Sequence, residues 1–291
     1  MPAELTDEQI HNVLQGIRIP PQPQIMVDLQ MEQAMPDPDI EQIAKLIRQD
    51  VSLSGMMLKF VNSPFLQHSN QISSIEQAVA LLGPTTVINI INGLSIKGEM
   101  SDQAIRAMTR FWDTATDIAQ VSAHVARAIG AKNPDESYAM GLFHNAGIPL
   151  MMERFPDYDD VMMESYARDE PRLIDVENRM LNTNHAVVGY YVAKSWNLPR
   201  HLCEVIAEHH NVQQVFAQTG TRAQERKTLL ATLKIAEHIC GNFSILGQQE
   251  EDYEWRRLEQ DVLIHTGLTQ YDLEEMAQNF RDMGITVHGG Y

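Results

Sequence analysis

Apolar residues recur at i, i+3, i+4 spacing along most of this chain, and proline and glycine cut the pattern into short lengths. Ile10, Val13, Leu14 and Ile17 share one stripe; Ile40, Ile43, Ala44 and Ile47 share a second; Leu53, Met56, Met57, Phe60 and Val61 share a third. With 3.6 residues per turn, such spacing gives each segment one face to bury against a neighbour. Period-two alternation does not persist beyond a few residues, and no fixed-period repeat is visible. The pattern predicts an all-α fold of many short helices.

The punctuation refines this. Thr6 with Gln9, Ser73 with Glu76 and Thr269 with Asp272 read as capping boxes, and Asp37-Pro38 reads as an N-cap followed by a first-turn proline. Gly83-Pro84 closes a helix, and Ile19-Pro20-Pro21-Gln22-Pro23 is an extended connector. The methionines lie at helix-face spacing among Ile and Leu, which marks core packing rather than an adaptable groove. Further on, Gly141 to Met151 reads as one buried helix. Residues 211–227 read as polar loop or weak helix, and Leu229 to Ile239 as an apolar helix with Glu237 embedded.

Composition narrows the function classes. No apolar run approaches the roughly 20 residues of a membrane span. Two cysteines in 291 residues make a disulfide framework improbable, and the N-terminus shows no basic segment followed by an apolar core, so a cytoplasmic location is expected. The formal charge of −17, with no polybasic cluster, argues against nucleic-acid or anionic-membrane binding. A local site for a small phosphorylated ligand remains compatible with it. No phosphate-cradling glycine loop, CxxC pair or Gly-x-Ser-x-Gly elbow occurs.

The residues that suggest chemistry cluster in the second half. Gly141-Leu142-Phe143-His144-Asn145-Ala146-Gly147-Ile148 sets an imidazole and an amide side by side between an apolar run and a glycine. His185 with Gly189, the pair His209-His210, and Glu237 are the polar points able to converge on it. Imidazole and carboxylate are ligands of zinc- or iron-like ions. The alternative is a pocket of mutually hydrogen-bonded histidines in which Glu237 orients His209 or His210.

Several short signatures occur in order: Pro20-Pro21-Gln22-Pro23, Asp50-Val51-Ser52-Leu53, Asn62-Ser63, Ile72-Ser73-Ser74-Ile75, Ala78 and Leu81-Leu82-Gly83. On these the chain resembles the HDOD domains, HD-related output domains of bacterial signalling proteins, from about Ile19 to Glu237. Val51 stands where the family usually has proline. The resemblance implies a two-lobed multi-helix fold: an N-terminal helical subdomain over 1–100, a degenerate HD-like subdomain over 101–245, and a helical extension over 246–291. It also carries over the metal ligands of HD phosphohydrolases. Their first His falls on Thr114, the His-Asp doublet on His144-Asn145, the following lysine on Ile148, the later histidines on His185 and His209 or His210, and the final Asp on Glu237.

Thr114, Asn145 and Ile148 are losses, because a hydrolytic divalent site needs several ligands, negative charge and an open position for water. The expected function is therefore a non-catalytic signalling module acting through a protein partner in trans or a small ligand. No cofactor is expected. The remaining His144, His185, His209, His210 and Glu237 leave room for a single Fe, Zn or Mn ion. A divergent metal-dependent phosphohydrolase or cyclic-di-nucleotide phosphodiesterase is the alternative. Oligomeric state is left open.

Overall fold

The computed structural model describes residues 7–19, 24–49, 51–62, 72–98, 109–167 and 172–285, and among these every regular element is helical. The chain divides into two compact units, Pro20–Ser101 and a second made of Met1–Ile19 with Asp102–Tyr291. Thr6 and the Pro20-Pro21-Gln22-Pro23 connector lie outside the described residues. After α1 (Asp7–Leu14), which belongs to the second unit, the first unit is built from α2 (Gln24–Gln33), α3 (Ile40–Arg48), α4 (Val51–Val61) and α5 (Ile75–Gly98).

Its core is the set of stripes seen in the sequence. Met26, Leu29, Ile43, Ala44, Ile47, Leu53, Met57, Val61, Ala78 and Val79 are buried. Two stripe residues depart: Ile40, at the first turn of α3, is 40% exposed, and Phe60 is half-buried. The cap of α3 is Asp39 rather than Asp37, with its carboxylate accepting from Glu41 N–H. Likewise Ser74, not Ser73, bonds Glu76 and caps α5. Gly83 breaks α5 as its sequence suggests, with φ +77°, a region open to glycine, and Pro84 begins the continuation.

Asn62 fastens the end of α4. Its Nδ2 donates to Leu58 O at 2.8 Å and Ile72 O at 2.7 Å, and its Oδ1 accepts from Ile72 N–H at 2.7 Å. One amide therefore joins two strands of chain ten residues apart.

The second unit continues with α6 (Thr109–Ala128), α7 (Pro134–Phe143), α8 (Ile148–Arg154), α9 (Tyr158–Ser165), α10 (Leu173–Leu181), α11 (His185–Ser195), α12 (Arg200–Glu208), α13 (Val212–Phe216), α14 (Thr221–Cys240), α15 (Asn242–Ile245), α16 (Tyr253–Thr266) and α17 (Gln270–Asp282). Helix α6 packs on α7 and α14, α11 on α12, and α14 on α16. The α6–α7 approach is close: a Cβ at Gly141 would lie 2.7 Å from Ala119 Cα. The stretch 211–227 is more ordered than its polarity predicts, because Val212 and Val215 are buried and pull α13 onto the core. The Thr269–Asp272 capping box is present. No helix among the described residues is long and apolar enough to cross a membrane.

Removing the Asn62 staple tests the first unit. Asn62→Ala leaves the N–H and C=O of half-buried Ile72 without their partner, and is expected to cost about 1–3 kcal/mol, read as a lower urea midpoint by circular dichroism.

Candidate metal centre

The stretch around His144 is a turn between two helices, not the single helix its apolar pattern predicts. Helix α7 ends at Phe143, Ala146 N–H reaches back to Phe143 O, Ile148 N–H to Asn145 O, and α8 then starts with Pro149 in its first turn. Proline has no N–H and favours a helix start over its interior. Gly147 is needed for another reason: a Cβ there would stand 2.1 Å from His185 O. The missing side chain lets the His144 turn lie directly on the start of α11.

Three imidazoles meet beside that contact. His185 opens α11 behind the N-cap Asn184, whose side chain accepts from Val187 N–H. His209 and His210 follow the last turn of α12. His185 Nε2 lies 3.3 Å from His209 Nε2 and 3.0 Å from His210 Nε2. One ligand atom from each falls within 4.8 Å of the others, a group able to hold a metal ion.

Each Nδ1 faces an acceptor, which assigns the protons. His185 Nδ1 donates to Glu177 at 2.8 Å, His209 Nδ1 to Ile206 O at 2.6 Å, and His210 Nδ1 to Glu254 at 2.9 Å. A neutral imidazole carries one N–H, so all three Nε2 atoms present lone pairs to one another. A cation between them would relieve that contact. Burial, then the neighbouring cationic and imidazole groups, push His209 and His210 well below the usual histidine range, which disfavours a proton on either ring's Nε2. Two nitrogens bound about 2.0–2.1 Å from one ion lie roughly 2.9–3.4 Å apart at right-angled to tetrahedral geometry. The observed spacings match, so the residues fit a divalent ion with nitrogen ligands.

A carboxylate layer supports this group. Glu177, fully buried, takes His185 through Nδ1 and backbone N–H and is itself bonded by the Tyr158 hydroxyl. Burial, then the Glu177 charge, drives the Tyr158 hydroxyl well above its ordinary range, so it stays a donor. Glu254 accepts from His210 on Oε1 and from Lys234 Nζ, at 2.9 Å, on Oε2. Lys234 also lies 2.8 Å from Glu237 Oε2. Burial alone would depress this lysine; the two carboxylates outweigh it and hold the ammonium above its ordinary range. Burial likewise disfavours the Glu237 charge, but Lys234 and then His144 hold its carboxyl well below the usual range.

The five sequence candidates therefore separate. His185, His209 and His210 converge; His144 and Glu237 form a flanking pair, with Nε2 and Oε1 3.3 Å apart but not aligned for a hydrogen bond. His144 Nδ1 is committed to Gly141 O at 2.7 Å, and its ring stands edge-on to His209. Glu237 orients neither His209 nor His210; Ile206 O and Glu254 do so. Asn145 is buried with Oδ1 lacking a hydrogen-bond partner, Thr114 is buried on α6, and Ile148 is a fully buried apolar residue. The sequence reading did not include Glu177, Lys234 or Glu254. A signal for one existed: Lys234 and Glu237 stand at i, i+3 in the apolar run of α14, where two opposite charges on one face must pair.

A pocket of about 70 Å³ has His210, Glu254, Arg172 and Arg257 among its lining residues. A wider cleft of about 950 Å³ lies between the start of α14 and the end of α6, with Lys132, Arg200, Arg222, Glu136 and Glu225 on its walls and none of the five candidates.

The HDOD domain profile matches residues 19–212. An uncharacterized protein of Treponema pallidum is 27% identical over 221 residues, 75% of this chain and 41% of the relative. The cyclic di-GMP phosphodiesterase CdgJ of Vibrio cholerae is 26% identical over 168 residues, 55% of this chain and 38% of CdgJ. The chain thus spans less than half the length of these curated relatives. A solved HDOD domain protein of Geobacter sulfurreducens superimposes with TM-score 0.64 at 20% identity, covering 96% of this chain and 94% of that one, a likeness of fold.

Gly147→Ala is expected to cost about 3 kcal/mol or more by overpacking, and to lower metal uptake, read by denaturation and elemental analysis. Stability of chelator-treated protein should also fall with pH. His209 and His210 stay neutral in the fold, whereas in the unfolded chain they protonate below about pH 6.5. The unfolded state then binds more protons, and each histidine lowers stability by up to about 1.4 kcal/mol per pH unit below that point. Replacing both by Gln should flatten the slope in urea titrations across pH 5 to 8.

Proposed function

The chain belongs to the HDOD family, and from that premise we propose a non-hydrolytic bacterial signalling module that acts through a protein partner in trans and holds one divalent ion at His185, His209 and His210. Bound there, the ion ties the start of α11 to the end of α12.

The observation that carries this reading is the enclosure of the triad. His185, His209 and His210 are 1%, 0% and 5% exposed. A catalytic ion needs an open coordination position that substrate can reach. A pocket that includes His210 is about 70 Å³, against roughly 300–1,000 Å³ for a small-molecule site. Further support comes from the ligands themselves: Asn145 offers no charge, and Glu237 is engaged by Lys234. If the module also reads a small phosphorylated ligand, the wide cleft at Lys132, Arg200 and Arg222 has the volume for it.

A second reading, a divergent phosphodiesterase, has one observation in its favour: the likeness to CdgJ coexists with a triad suited to metal. The match covers 38% of CdgJ, so the activity named for that protein need not reside in the shared part.

Protein purified without chelator is expected to contain close to one equivalent of iron, zinc or manganese, and His185→Ala to contain almost none. Stripping the ion should lower the melting temperature and returning it should restore it, since a ligand at 100 times its Kd stabilises by about 2.7 kcal/mol. No turnover of cyclic di-GMP or other phosphodiesters is expected. Hydrolysis that disappears in His185→Ala would establish the second reading instead.

A further inference from the structure

Beside the triad lies a buried cation that a nitrogen-ligand site does not require. Lys234 is 3% exposed, and its ammonium sits between Glu237 Oε2 at 2.8 Å and Glu254 Oε2 at 2.9 Å. We propose that Lys234 is a built-in second cation: it occupies the carboxylate-lined half of the cluster, so that the cluster takes one divalent ion and not two. This rests on the ion-binding reading above and adds its stoichiometry and the residue that sets it.

What each carboxylate already holds decides the ion number. Glu177 accepts from Tyr158 and His185, Glu254 from His210 and Lys234, and Glu237 from Asn242 while pairing with Lys234. Each carboxylate is therefore already engaged, and Lys234 takes one oxygen from Glu237 and one from Glu254. A cation already resting on a buried carboxylate opposes a second one on the same group.

A second ion has one evident place, between His144 Nε2 and Glu237 Oε1, which face each other at 3.3 Å. That ion would share the Glu237 carboxylate with the ammonium, setting two cations on one buried carboxyl. Without Lys234, the same place offers His144 Nε2 together with a Glu237 carboxylate no longer shared with an ammonium, a mixed nitrogen and oxygen set suited to a harder ion such as Mn²⁺. The lysine therefore sets ion number through the carboxylate it already holds.

The test uses the full chain, stripped with chelator, given one equivalent of Zn²⁺ and then titrated with Mn²⁺. Free Mn²⁺ is followed by its six-line electron paramagnetic resonance signal and bound metal by elemental analysis. Wild type and Lys234→Arg should retain one Zn²⁺ and let the Mn²⁺ signal rise from the first addition. Lys234→Met should suppress that signal until about one equivalent of Mn²⁺ has bound. Lys234→Gln, which keeps a donor for the carboxylates, provides a second neutral variant if the methionine protein does not fold. Mn²⁺ uptake by zinc-loaded wild type, or none by a folded neutral variant, would overturn the proposal while leaving the triad site standing. Failure of wild type to retain Zn²⁺ would remove the triad site and the proposal together.

Discussion

The commitment of every Nδ1 proton in the histidine cluster to an acceptor is the constraint on which the rest of this site depends. Glu177, Ile206 O and Glu254 each take one, and the three Nε2 lone pairs are thereby forced inward. A ring free to flip would offer either nitrogen and relieve the mutual repulsion. These rings are held, and the carboxylates behind two of them raise ligand basicity as well as fixing orientation. Such an arrangement is costly without a cation and favourable with one, because unpaired buried acceptors lose their water without replacement.

Backbone proximity makes the arrangement possible. His185 reaches the cluster as the first residue of α11, and α11 can start there because Gly147 lacks the Cβ that would strike His185 O. The same close packing brings His144 against His209. On the other side, α14 delivers Lys234 and Glu237 one turn apart, and α16 supplies Glu254 near its N-terminus, where helix polarity favours a carboxylate. Four separate helix ends and the faces of α10 and α14 thus share a single interior, so a change in any of them is felt at the triad.

The sequence made the helices legible because helix faces repeat locally: the stripes of α3 and α4 can be read without knowing what they touch. It made their exact starts less so, since Asp37 and Asp39, or Ser73 and Ser74, offer similar capping side chains and only the local turn selects one. The helix break at His144 was hidden because its flanking residues are apolar on both sides, although Pro149 marks it. The candidate histidines were legible as residues with metal-ligand chemistry. That His144 stands aside from the triad was not, because it depends on the crossing of α7 with α11 and α12. Glu177 and Glu254 were invisible for the same reason: a carboxylate on an amphipathic helix looks solvated until its imidazole partner, 8 residues away for His185 and 44 for His210, is placed against it.

The residues of the triad also bear on which ion they would suit. Three neutral imidazoles suit zinc, iron and their neighbours better than magnesium or calcium, which favour charged oxygen. Aspartate in place of Asn145 would have added oxygen and charge next to His144; the amide supplies neither a charge nor a strong bridge. The carboxylates that remain lie one bond further out, where they tune the imidazoles or neutralise Lys234 without offering the ion an anionic ligand. An ion so placed would be held by nitrogen alone, and phosphoester hydrolysis would need in addition an open position for water. The burial of the triad, with His185 1% and His209 0% exposed, is the feature of the site that bears on that need.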